Sequence, residues 1–112
     1  MKTITDEFMM QMIGTSKNYT AVILKAGPDY DTADNQKIVW EHARRNFALR
    51  EEGLLSIVCP VSDATAVKGI GIFNADAEKT KEIMDDDPGV KAGIFIYEIH
   101  PTRSFAGDSL PA

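Results

Sequence analysis

One histidine and one run of aspartates are the residues of this sequence best suited to proton-transfer chemistry. His42 stands in the segment WEHARR, and Asp85, Asp86 and Asp87 stand in DDDPG. A histidine held by a carboxylate can take up and return a proton near neutral pH. Because the C-terminal end of a helix disfavours negative charge, three aspartates at a predicted helix end require an explanation, and a functional site is one.

The helix that must carry His42 is predicted over ADNQKIVWEHARRNFALREEG, which has no internal glycine or proline and ends at Gly53. At about 100° per residue, His42 and Asn46 fall inside the apolar arc of this helix. Arg44 and Arg45 fall on the opposite side, which predicts that they face solvent. We therefore expect His42 to face a sheet, either as a catalytic residue or as a buried histidine with a structural hydrogen bond, and Asn46 to line the same site.

The second helix, ADAEKTKEIMDDD, is predicted to stop at Pro88, with its first two aspartates solvated. Proline disfavours helical backbone at the preceding residue, so Asp87 must leave the helix. Gly89 is then expected to let the chain turn sharply into the last strand. Asp87 is accordingly the aspartate whose side chain can point back over the sheet, as a candidate partner for His42.

The remaining apolar runs predict a four-stranded sheet. The strands are assigned to NYTAVILKAG, LLSIVCP, KGIGIFN and KAGIFIYEIHP, and the short connection between the second and third makes them an antiparallel hairpin. With the two helices the order is βαββαβ, an α+β sandwich of the ferredoxin-like type. The 112 residues form one predicted domain with a core over 19–101, an N-terminal extension over 1–18 that includes the short helix DEFMMQMIG, and an extended tail over 102–112.

Both faces of the predicted strands are apolar, although two helices can cover only one face of the sheet. An uncovered apolar face would exceed what a monomer normally exposes. The sequence therefore predicts a homodimer, or a higher homo-oligomer, that closes sheet against sheet.

The composition restricts the partners and the location of the protein. Asp and Glu number 17 against 12 Lys and Arg, for a net charge of −5, so no general field attracts nucleic acid. We find no signal peptide and no apolar run long enough for a membrane span, which predicts a cytoplasmic protein that does not bind membranes.

Cys59 is the single cysteine, and the spacing of the histidines and the cysteine matches no metal-ligand pattern. We expect no metal and no cofactor.

A histidine early in the long helix, an Asp-Pro pair at the end of the second, a glycine soon after and a closing EIHP together resemble the YCII-related (YciI-like) family of dimeric α/β-barrel proteins. The similarity spans residues 19–101. The family's proposed histidine–aspartate dyad corresponds to His42 and Asp87, and the resemblance therefore implies that these two side chains approach within direct or single-water hydrogen-bond reach. The family often has an arginine two or three residues before its histidine, where this chain has Val39 and Trp40.

The resemblance implies cofactor-independent lyase or isomerase chemistry on a small cyclic or aromatic-derived metabolite, as in dehydrochlorinases and muconolactone isomerases. His42 and Asp87 would be catalytic, and Asn46, Tyr97 and His100 are the candidates for substrate binding. Tyr97 and His100 have alternatives as rim or boundary residues of the last strand. In the third strand, Gly69 and Gly71 leave room for a ligand against the sheet or allow close packing of a helix.

Two other functions remain open from the sequence. The protein could be a dimeric module that binds a small molecule without transforming it, or a structural dimer with no small-molecule site. A deep apolar pocket beside His42 and Asp87 would favour the enzyme and the binding module over the structural dimer.

Overall fold

The computed structural model describes residues 1–32 and 34–112. Four helices and four strands follow one another as α1 (Asp6–Gly14), β1 (Ser16–Ala26), α2 (Asn35–Glu51), β2 (Leu55–Pro60), β3 (Val67–Phe73), α3 (Ala77–Asp85), α4 (Pro88–Lys91) and β4 (Phe95–Phe105). Apart from the N-terminal helix α1, which was predicted as part of the extension, and the unpredicted α4, this is the predicted βαββαβ order.

The four strands form one antiparallel sheet in the order β2-β3-β1-β4. β2 and β3 pair as the predicted hairpin, and each of the two central strands pairs with a neighbour that is distant in sequence. The α+β architecture and the strand order are those of a ferredoxin-like fold. The predicted fold class is confirmed at this level.

The core lies between one face of the sheet and the helices α2, α3 and α4. Side chains alternate along each strand, so that Val22 and Leu24 point to this face while Ile23 between them points away. The buried apolar cluster joins all four strands to the helices, and it comprises Val22, Leu24, Leu49, Leu55, Phe73, Ile83, Met84, Ile94 and Phe95.

The last strand continues beyond the expected end of the core. β4 runs to Phe105 and pairs with β1 over the register from Ser16↔Phe105 to Ala26↔Phe95. The first four residues of the predicted tail over 102–112 therefore belong to the sheet. The segment PTRSF is too polar to indicate a buried strand, but residues 16–19 of β1 supply its backbone partners.

The connection between α3 and β4 also differs from the prediction. α3 ends before Pro88 as expected, but Pro88 then begins the short helix α4, with Gly89 inside it. A proline is favoured at the first position of a helix because its missing N–H has no partner there anyway. The sharp turn into β4 is made instead by Gly93, whose φ of 76° is the left-handed conformation that favours glycine.

The N-terminal helix α1 forms over the predicted DEFMMQMIG segment, and the side chain of Thr5 accepts a hydrogen bond from the Phe8 N–H at its start. None of its residues is buried. Among the residues that the structure describes, no helix is both long enough and apolar enough to cross a bilayer.

Candidate active site

Asp87 is held at the start of α4 by its own side chain. Its Oδ2 accepts hydrogen bonds from the backbone N–H groups of Gly89 at 2.9 Å and Val90 at 3.2 Å. Pro88 keeps the backbone of Asp87 extended, with ψ at 134°, which is the conformation of an N-cap residue. Asp87 would be unfavourable at the C-terminal end of α3, where the partial charge of a helix is negative. It is instead the N-cap of α4, at a helix N-terminus, where negative charge is favoured.

The imidazole of His42 completes the environment of this carboxylate. Its Nδ1 lies 2.8 Å from both carboxylate oxygens of Asp87, and the two residues are 8% and 1% exposed. The other ring nitrogen, Nε2, lies 3.2 Å from Nδ2 of Asn46, one turn further along α2. Since a carboxylate only accepts and an amide nitrogen only donates, one tautomer satisfies both contacts: Nδ1 carries the proton and Nε2 carries the lone pair.

Arg45 also belongs to this site, contrary to the prediction that it faces solvent. Its Nη1 lies 3.7 Å from Oδ1 of Asp87, and only a quarter of its side chain is exposed. The long apolar stem of an arginine can be buried while its charged end reaches a carboxylate. On the helical wheel Arg45 falls about 20° from the inward-facing Ile38, which is the signal that could have identified it. Arg44, the preceding residue of the chain, is exposed as expected and pairs with Glu41.

An aromatic ring fixes the position of the histidine from the sheet side. The ring of Phe95 lies against His42 with the centroids 4.7 Å apart. Phe95 reaches this position across Gly89, where an added Cβ would lie 2.5 Å from the Phe95 ring and 3.1 Å from Asp87 Oδ2. Gly89 is therefore required for the close approach of α4 to β4, and not for a turn.

A cavity of about 510 Å³ opens beside His42, between α2 and the strands β2 and β3. This volume lies in the range of small-molecule sites. Asn46 lines it, together with Gly69 and Gly71 of β3. The rings of Trp40 and Phe47 also line it and remain largely exposed, so an open, mostly apolar pocket adjoins the nitrogen that carries the lone pair.

Tyr97 and His100, the other candidates for substrate binding, do not line this cavity within one chain. The Tyr97 hydroxyl donates to the carboxylate of Asp85 at the end of α3. His100 is exposed on the opposite face of the sheet, where its Nε2 lies 3.1 Å from Glu98. The alternation along β4 decides both positions, because Tyr97 and His100 point to opposite faces of the sheet and neither lies beside α2.

The contact with Asp85 predicts that Tyr97 loses its proton only at a high pH. Partial burial, and next the carboxylate of Asp85, raise the pKa of Tyr97 to about 12. A folded pKa above the unfolded value of about 10 means that the stabilisation is present below about pH 10 and is lost as the pH rises through about 12. In an alkaline ultraviolet titration we expect Asp85→Asn to lower this pKa. Asp86→Asn, at an exposed aspartate that pairs with Lys91 at 2.6 Å, should leave it unchanged, and an equal response to both changes would contradict the assignment.

Comparison with known proteins bears on the fold of the chain. No protein-family model matches the sequence. No curated protein matches it either. Among solved structures, the chain is similar to 5-chloro-2-hydroxyhydroquinone dehydrochlorinase from Burkholderia phenoliruptrix, in complex with 2,5-dihydroxybenzoquinone. The TM-score is 0.52 and the identity 15%, over 73% of this chain and 90% of that chain. At this identity the similarity shows the shared fold alone.

Proposed function

We propose that this protein is a cofactor-independent enzyme of the lyase or isomerase type, in which His42, supported by Asp87, transfers a proton to and from a small cyclic or aromatic-derived compound. The observation that carries the proposal is the arrangement of the His42 ring. One nitrogen is bound to a buried carboxylate, and the other carries a lone pair beside an open cavity. The dehydrochlorinase with the same fold, and the sequence resemblance to the YCII-related family, support this class of chemistry.

In the first step Nε2 of His42 would remove a proton from a carbon next to a carbonyl group. The C–H electron pair then moves into the conjugated system as an enolate, and the ring becomes an imidazolium. Asp87 stabilises that imidazolium through Nδ1–H and holds the ring in the required tautomer. Asn46 would leave Nε2 when substrate enters, and its amide could then hydrogen-bond to a substrate oxygen.

The second step distinguishes the two reaction types. In an isomerase, the imidazolium returns its proton to a different carbon of the enolate, and the double bond shifts. In a lyase, the electron pair expels a leaving group such as chloride from the neighbouring carbon, and His42 releases its proton to solvent. Both reactions need only one acid–base group next to the reacting carbons, and His42 beside the cavity could serve as that group.

The proposal is tested by turnover with purified protein. Two substrate types should be assayed: cyclic ketones or lactones that carry chlorine on the carbon next to the acidic C–H, by chloride release, and unsaturated lactones, by their ultraviolet absorbance. We expect turnover of at least one type, and its loss in His42→Gln with an unchanged circular dichroism spectrum. Arg44→Gln, on the exposed side of the same helix, is the matched control. Turnover that survives in His42→Gln would overturn the role of the histidine.

The second candidate function is a binding module, and the apolar cavity itself favours it over a purely structural role. In that case His42 and Asp87 would only shape the pocket. Ligand that co-purifies with the protein, identified by mass spectrometry, and that is bound but never transformed would support the binding module.

We propose further that the chain assembles as a dimer through the sheet face opposite the helices, as in a dimeric α/β barrel of the YCII-related family. On that face the exposed Ile70 stands directly opposite Ile23, and the exposed Ile96 stands opposite Lys25, diagonal to Ile23. Such an apolar surface is favourable when a second copy covers it. Assembly would also bring His100 of this face to the interface.

Sedimentation at micromolar concentration tests the dimer. We expect a dimer or a larger oligomer, and we expect Ile96→Glu to shift it towards monomer because a charge would be buried in the interface. Lys79→Glu, on the exposed surface of α3, is the control and should not alter the mass. A stable monomer of the unaltered protein would refute the proposal.

A further inference from the structure

Lys68 has an unusual position in β3. The register of β1 and β3 pairs Leu24 with Gly69 but Lys25 with Val67, so Lys68 is an extra residue in a β-bulge. In a regular register Lys68 would stand opposite Lys25 and share its sheet face, away from the helices. The bulge instead allows it to reach the helix-covered side, and bulges next to functional sites often redirect a side chain in this way.

The ammonium group of Lys68 is held at one end of the cavity. It lies 4.9 Å from the centroid of the Tyr30 ring, and it donates a hydrogen bond to the Thr65 carbonyl at 3.0 Å. Lys68 and Tyr30 both line the cavity that His42 also lines. Because an ammonium group has three N–H donors, two remain after the bond to Thr65.

Among the described residues, the cavity wall carries positive charge from Lys68 and no acidic side chain. Although acidic residues outnumber basic ones in the chain, no aspartate or glutamate is among the described residues that line the cavity. The nearby Asp63 has a lowered pKa chiefly through its bonds to Thr65, and only to a lesser extent through the charge of Lys68. Lys68 is therefore the charged group that a ligand in this cavity meets.

We propose that Lys68 is a substrate-binding residue and that the cavity selects a flat ring that carries an anionic oxygen, a carboxylate or an ionised hydroxyl. The anionic oxygen binds Lys68, the ring lies over the glycines of β3 under the rings of Trp40 and Phe47, and the remainder of the ring extends towards His42. Gly69 and Gly71 both line the cavity, and a Cβ at Gly71 would lie 3.1 Å from Leu55 Cδ1, so a side chain there would crowd this wall of the site. The binding site does not depend on the proposed function. Only the statement that the bound compound is a substrate rests on it.

Trp40 makes the inference directly testable, because it is the only tryptophan in the chain and it lines the cavity. Benzoate, benzamide and benzylammonium have similar shapes but carry a negative, a neutral and a positive group, and each is titrated while the fluorescence of Trp40 is recorded. We expect benzoate to bind about tenfold more tightly than benzamide, the size of one charge-assisted hydrogen bond, and benzylammonium to bind most weakly. Lys68→Met should remove this preference, and Lys68→Arg should retain it.

The controls separate this inference from the proposed function. Lys79→Met removes an equal charge from the surface of α3 and should leave the preference unchanged. His42→Gln should retain the preference for benzoate over benzamide, because that preference depends on Lys68, while its turnover is lost. A benzoate preference that depends on Lys68 in a protein without turnover would uphold the binding site and refute the enzyme. Equal affinity for the three compounds, no response of Trp40 to any of them, or a preference that survives in Lys68→Met would overturn the inference.

Discussion

Replacing Asp87 by asparagine is expected to lower kcat by roughly 10²–10⁴-fold, the range that general acid–base groups contribute, while the fold is kept. The amide oxygen of the new side chain can still accept the backbone hydrogen bonds of Gly89 and Val90. Its NH₂ group must then point at Nδ1 of His42. The imidazole would adopt the opposite tautomer, with the proton on Nε2, and would no longer offer a lone pair to the substrate.

The neighbouring aspartate provides a matched control for this prediction. Asp86→Asn makes the same chemical change one residue earlier, at an exposed carboxylate that pairs with Lys91. It should leave kcat within about twofold, because it lies outside the site. The ¹⁵N chemical shifts of the His42 ring report the tautomer at alkaline pH and need no substrate. An unchanged tautomer and unchanged turnover in Asp87→Asn would remove Asp87 from the mechanism.

Replacing Gly89 by alanine is expected to destabilise the protein by roughly 1–3 kcal/mol, as overpacking of a well-packed core does. The new Cβ would lie 2.5 Å from the ring of Phe95, and 3.1 Å from the carboxylate of Asp87. Either the ring or helix α4 must move, and both contact the proposed catalytic pair. We therefore expect lower activity as well as a lower free energy of unfolding, measured by urea denaturation at constant protein concentration.

Two comparisons isolate the steric cause. Gly14→Ala places a Cβ in open space at the end of α1, and it should be neutral or stabilise by up to about 1 kcal/mol. Combining Gly89→Ala with Phe95→Leu should cost less than the sum of the two single changes, because the smaller side chain relieves the collision. Strict additivity, or a Gly89→Ala protein as stable as the unaltered chain, would contradict the packing argument.

The arrangement of elements followed from local features of the sequence. Strand alternation, helix caps and the short loop between β2 and β3 are set by neighbouring residues, so the βαββαβ order was predictable. The same local information oriented His42 and Asn46 towards the sheet. It also separated Asp87 from the two aspartates before it, because Pro88 restricts the backbone of the preceding residue alone.

The tertiary structure alone decided three other contacts, those of Gly89, Arg45 and Lys68. The local pattern predicted a turn at Gly89, but the absence of a side chain there instead lets the ring of Phe95 in β4 pack closely against α4. The helical pattern of α2 predicts that Arg45 faces solvent, but in the folded chain α4 places Asp87 within reach of its side chain. The direction of Lys68 depends on a register shift between β1 and β3, strands separated by a helix and a further strand. Contacts of this kind depend on how distant segments pack, and the spacing of residues along one element does not contain them.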